Sequence, residues 1–92
     1  MPGVHRQGDY TKGHGCWPPT VPDSYSDNVF VNGRKVVRQG DAIVPHTCPP
    51  THGGTYQGTH DVYVNSRPIQ TCGDPVSCGD SAGTCSGDVF VN

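Results

Sequence analysis

Short apolar runs interrupted by polar residues dominate the chain, and three of them are copies of one another. Val29-Phe30-Val31-Asn32, Val62-Tyr63-Val64-Asn65 and Val89-Phe90-Val91-Asn92 share one pattern, each following Asn or Asp. Valine and aromatic residues in a run this short, closed by a turn-forming asparagine, predict strands. A second motif travels with them: Arg6-Gln7-Gly8-Asp9, Arg38-Gln39-Gly40-Asp41 and the weaker Thr71-Cys72-Gly73-Asp74. Asn32 to Gly40 and Asn65 to Gly73 are both eight residues, so strand, turn and Gly-Asp keep one register. A β-sandwich with merely recurrent strand composition has no reason to preserve that register, whereas an internal repeat does.

Asn32-Gly33 lies between Val29–Val31 and Lys35–Arg38, the two-residue signal for a type I′ hairpin, and Asn65-Ser66 is a less ideal version of it. The sequence opens inside a unit, at Val4-His5-Arg6-Gln7-Gly8-Asp9, and stops inside one, at Asp88-Val89-Phe90-Val91-Asn92. The last strand is therefore expected to pair with the first. Three units would then close around a pseudo-threefold axis and leave no exposed strand edge, with residues 1–92 forming a single domain.

Composition supports an all-β reading. The chain has no Leu, no Glu and only Ala42 and Ala82, so the strongest helix formers are missing, while valine fills 12 positions. With 92 residues, 32% hydrophobic content, 13 Gly and 9 Pro, the core is small and calls for a metal or disulfide supplement. Arg6, Lys12, Arg34, Lys35, Arg38 and Arg67 are scattered and the net charge is −2, which argues against a nucleic-acid partner. No apolar run is long enough to span a membrane, and Met1-Pro2-Gly3 lacks the opening of a signal peptide, so synthesis in the cytoplasm and exit by another route are expected. Five cysteines, an odd number without a Cys-x-x-Cys pair, lead to an expectation of reduced thiols and no redox chemistry.

The repeat also positions candidate ligands. His14 lies five residues beyond Asp9, His46 five beyond Asp41, and Cys78 four beyond Asp74. Loops related by a threefold axis converge on it, so these side chains approach one point, and His52 in Thr51-His52-Gly53-Gly54 is the best fourth ligand. His14, His46, His52 and Cys78 match a closed structural zinc site with one Zn2+ per chain; iron is the second choice, since imidazole also suits it. Cys16 and Cys48, each two residues past a proposed histidine, compete for a place in the set. His5 and His60 read as structural or exposed, Cys72 as a packing residue, and Cys85 has no assigned role.

Catalytic residues are not apparent. Asp9, Asp41 and Asp74 sit in turns where carboxylates satisfy local backbone N–H groups, and four protein ligands leave no position for an activated water. A mechanical, non-enzymatic role is expected. The alternatives are a small metal-binding enzyme or storage module, and a secreted disulfide-stapled binding module.

Taken together, Gly13-His14-Gly15-Cys16, Asn28-Val29-Phe30-Val31-Asn32-Gly33 with Arg38-Gln39-Gly40-Asp41, His46-Thr47-Cys48-Pro49 with His52-Gly53-Gly54, and Gly73-Asp74-Pro75-Val76-Ser77-Cys78-Gly79 resemble one family over essentially the whole chain. It is the PAAR-repeat proteins, the spike-tip proteins of type VI secretion systems and contractile-tailed bacteriophages. The naming Pro-Ala-Ala-Arg tetrapeptide is absent, replaced by Lys35-Val36-Val37-Arg38 and Arg67-Pro68-Ile69-Gln70, and the last unit is five or six residues shorter between Gly-Asp and strand. Neither departure touches the proposed ligands. The resemblance implies a small cone stapled by a metal near its apex through three His and one Cys. Its base would sit on a trimeric β-helical spike, one copy per trimer, to sharpen it for membrane piercing. Because the sequence ends at the final strand with no extension at either terminus, a bare tip without an effector is expected, in a virion tail or secreted with the spike, and the lack of a toxin domain leans toward the virion.

Overall fold

The computed structural model describes residues 1–91; Asn92, which closes the third strand copy, lies outside the described residues. Among the described residues there is no helix, and the molecule measures 35 × 22 × 21 Å. Among those residues, six two-residue strands form three antiparallel pairs: β1 (Phe30–Val31) with β2 (Arg34–Lys35), β3 (His46–Thr47) with β4 (Thr51–His52), and β5 (Tyr63–Val64) with β6 (Arg67–Pro68). The turn between β1 and β2 has positive φ at both central residues, 55° at Asn32 and 75° at Gly33, as a type I′ hairpin requires. Asn65 and Ser66 adopt the same conformation, at 53° and 68°, without the glycine that would relieve it.

The third hairpin is assembled from both ends of the chain. Phe90 bridges Gly3 as Phe30 pairs with Lys35 and Tyr63 with Pro68. Val4 donates to the Val89 carbonyl at 3.1 Å, the counterpart of Val36 to Val29 at 3.0 Å and Ile69 to Val62 at 2.9 Å. The threefold relation then closes in two rings of backbone hydrogen bonds. In the first, His5 N donates to Gln70 O, Gln70 N to Val37 O and Val37 N to His5 O, all at 2.9–3.1 Å. In the second, the N–H groups of Lys12, Val44 and Ser77 donate to Ser81, Val21 and Thr55 of the neighbouring loop at 2.8–3.0 Å. Edge strands two residues long cannot hold a sheet alone; closure gives each unit partners on both sides.

Two small apolar clusters fill the interior. Val4, Val36, Val64, Ile69 and Val91, equivalent positions of the three units, are buried beneath the hairpins. Val37, Ile43, Tyr56 and Val76 pack nearer the loops, with Tyr25 and Cys78 against them.

Buried ion pairs lock the Gly-Asp turns. Asp9 is 3% exposed and accepts from the Arg6 backbone N–H at 2.9 Å, Arg6 Nε at 2.8 Å and Arg34 at 2.8 Å, and Asp41 repeats the pattern with Arg38 and Arg67. The expected carboxylate-to-backbone bond is present in all three turns, Asp74 accepting from Thr71 N at 3.0 Å. Burial pushes the Asp9 carboxyl up, but Arg6 and Arg34 outweigh it and hold the group below the usual carboxylate range. Asp9→Ala leaves the largely buried Arg6 guanidinium without its counter-charge, with the Asn32 amide oxygen still accepting from it at 2.9 Å, and should cost about 3–5 kcal/mol, read from urea denaturation.

His5 is fully buried, its Nδ1 donating to the Thr84 carbonyl at 2.7 Å and its Nε2 3.2 Å from the Tyr56 hydroxyl. Desolvation lowers its pKa below 6.5; the Thr84 carbonyl and Asp9 favour the proton, while Arg6 and Arg34 oppose it. Below pH 6.5 the unfolded chain takes up a proton that the native chain refuses, so stability falls as pH drops from 6.5 toward the native pKa. The His5→Gln variant should flatten the pH slope of the urea midpoint by up to about 1.4 kcal/mol per pH unit, the value for one proton. Identical slopes in variant and parent would remove His5 as the source.

Candidate metal centre

Each unit sends a loop beyond the second ring, and each loop closes on itself through one backbone bond: Thr11 N to Thr20 O at 2.8 Å, Ile43 N to Gly54 O at 3.0 Å, and Val76 N to Asp80 O at 2.8 Å. The first loop makes a tight turn in which His14 and Trp17 exchange two backbone hydrogen bonds, with Gly13 and Gly15 at positive φ. In the second loop His46 and His52 are direct cross-strand partners of β3 and β4, which puts both imidazoles on one face. The third loop is the shortest and carries Cys78. Gly54 lets the second loop approach it: a Cβ there would sit 3.2 Å from Cys78 N.

The structure brings His14, His46, His52 and Cys78 together, with one donor atom from each lying within 4.8 Å of the others. The three Nε2 atoms are separated by 2.7 Å (His46–His52), 2.9 Å (His14–His52) and 3.3 Å (His14–His46). Tetrahedral bonds of about 2.0–2.1 Å put ligand nitrogens about 3.3 Å apart, close to this spacing. His46 Nδ1 lies 2.8 Å from the Pro18 carbonyl and must donate to it, so the neutral ring offers Nε2 as a bare lone pair. Neutral imidazoles cannot satisfy three mutually adjacent Nε2 atoms with one proton each; a shared cation satisfies them all. The donor set therefore fits a metal ion. Desolvation first, then the neighbouring His46 and His14, keep the pKa of His52 below 6.5, so it stays neutral and available as a ligand at neutral pH.

Trp17, which the repeat gave no reason to single out, stacks on His52 (centroids 4.4 Å apart) and on His14 (5.2 Å), and its Nε1 donates to the Pro50 carbonyl at 2.9 Å. Its place three residues past His14 was the one available hint.

The expectation of reduced thiols is corrected. Cys16 is bonded to Cys48 and Cys72 to Cys85, leaving Cys78 as the free cysteine. Cys16 and Cys48 are therefore not competing ligands, Cys72 is more than a packing residue, and Cys85 has a partner. Neither compartment nor an odd cysteine count encodes the geometry responsible: threefold wrapping puts the position two residues past His14 beside the position two past His46, with Cα atoms 5.7 Å apart. His60 is half-buried and contacts Asp74 at 2.9 Å and Thr71 Oγ1 at 2.8 Å, where the other units use arginine.

The family model described as PAAR motif matches residues 7–83. No curated protein matches the chain.

Proposed function

The chain belongs to the PAAR motif family, structural, metal-binding proteins of contractile-injection spike tips, and from that premise we propose that it caps one trimeric β-helical spike with its hairpin layer. Residues 1–92 act as one tip domain. His14, His46, His52 and Cys78 hold one zinc ion that ties three loops into a stiff point, and the bound ion supplies rigidity instead of an activated water. The protein works mechanically, without catalysis, against a target membrane.

The supporting observation for the cap is a set of exposed aromatics. Phe30, Tyr63 and Phe90 occupy equivalent positions of the three hairpins and remain 54%, 62% and 48% exposed. Solvent-facing large apolar side chains repeated by symmetry need an explanation that a free monomer does not give. A partner with true threefold symmetry presents three equal patches to three near-equal patches, which gives one chain per trimer. Co-purification with the trimeric spike protein of the same source should return that 1:3 ratio, and metal analysis of the complex about one zinc per tip chain. Free monomer beside intact trimer would overturn the cap.

A further inference from the structure

We propose that the Cys16–Cys48 disulfide and the ion site are coupled, so that reducing this one bridge weakens metal binding and binding the metal protects this one bridge from reduction; the proposal rests on His14, His46, His52 and Cys78 as the ligands. Cys16 follows His14 by two residues, and Cys48 follows His46 by two at the tip of the β3–β4 hairpin that also carries His52. The bond therefore joins the loop bearing one ligand to the hairpin bearing two others, across a sequence separation of 32.

Apart from the stack of Trp17 on His52, the other side-chain ties between these segments are single hydrogen bonds. Trp17 Nε1 reaches Pro50 O, His46 Nδ1 reaches Pro18 O, and Thr20 Oγ1 reaches Val44 O, at 2.7–2.9 Å. Cys48 and Pro50 both lie in the short link between β3 and β4, so the bridge and the Trp17 bond hold the same link. Without the bridge the His14 loop regains freedom that the ion must remove on binding, which lowers affinity. Cys72–Cys85 differs in kind: it closes a separation of 13 around Cys78 and joins no two ligands. It serves as an internal control.

The redox step consumes a dithiol reductant. The Sγ–Sγ bond breaks, two electrons and two protons pass to Cys16 and Cys48, and the reductant becomes its own disulfide. Because coupling is reciprocal, whatever factor reduction removes from zinc affinity must appear in the reduction equilibrium of the bridge when zinc is bound.

The full chain is equilibrated in a series of dithiothreitol buffers with and without zinc, quenched by alkylation, and each bridge is scored by peptide mass spectrometry. Zinc should shift the Cys16–Cys48 midpoint to more reducing buffers by at least about 30 mV, the equivalent of tenfold in affinity for a two-electron couple, and leave Cys72–Cys85 nearly unmoved. Zinc competition against a chromophoric chelator should show the same tenfold loss in a C16S/C48S variant and little loss in C72S/C85S. Equal shifts at both bridges mean global stabilisation and overturn the proposal, as does unchanged or tighter zinc binding once the first bridge is open. Failure of the oxidised chain to bind zinc overturns the ligand set and the coupling together.

Discussion

Chelating the metal from the oxidised chain should lower its urea midpoint by more than any single side-chain substitution outside His14, His46, His52 and Cys78, and chelation combined with a dithiol reductant should unfold it. Structural zinc contributes about 10–16 kcal/mol of apparent binding free energy in small peptides, comparable to the entire stability of an ordinary domain, about 5–15 kcal/mol. The apolar clusters here are small, five and four buried residues among those described, so the disulfides, and on the proposed function the metal, should carry an unusual share. Each disulfide, spanning 32 and 13 residues, removes unfolded-chain entropy equivalent to about 3–4 kcal/mol. Chelation alone should therefore leave a weakened but folded chain, and loss of all three staples should leave none. Trp17, stacked on His14 and His52, is the only tryptophan, so its emission reports both steps in one titration. Cys78→Ser and His46→Ala should each reproduce the chelated midpoint in the presence of zinc. A reduced, chelated chain with the midpoint of the loaded one would leave the metal no structural role.

What the sequence disclosed follows from what a repeat encodes. Register between Asn32 and Gly40 and between Asn65 and Gly73 is a one-dimensional signal, and a threefold operation turns it into neighbours. That is why the end-to-end hairpin and the meeting of His14, His46, His52 and Cys78 could be read before any coordinates. Pairings that depend on which side chains face each other around the axis were not readable in this way. The Arg34–Asp9 and Arg67–Asp41 bonds cross between strands and turns of different units, and no local motif announces them. The Cys16–Cys48 bridge is legible in the offset that recurs after His14 and His46, whereas an odd cysteine count without an export signal points the other way, to reduced thiols. Cys72–Cys85 carried no such offset: Cys85 lies in the shortened unit, where the register with its siblings is lost.

Converting Phe30, Tyr63 and Phe90 together to aspartate should abolish association with a trimeric spike while leaving metal content and urea midpoint unchanged. Strand alternation explains the separation of effects: Val31, Val64 and Val91 point into the buried cluster, whereas the residue before each faces solvent. An exposed aromatic contributes little to folding, so a charge in its place is tolerated by the monomer. At an interface the same side chain is an anchor, and truncating such anchors costs about 2 kcal/mol or more each. Three together amount to about 6 kcal/mol, or about 10⁴-fold in affinity, and three carboxylates crowded against an apolar partner add a desolvation cost. Single variants should lose roughly equal amounts, because a threefold partner presents the same patch to each. A threefold-symmetric loss is hard to obtain from any other seat: an off-axis contact would make one of the three dominant. Unchanged co-purification of the triple variant would move the contact away from the hairpin layer altogether.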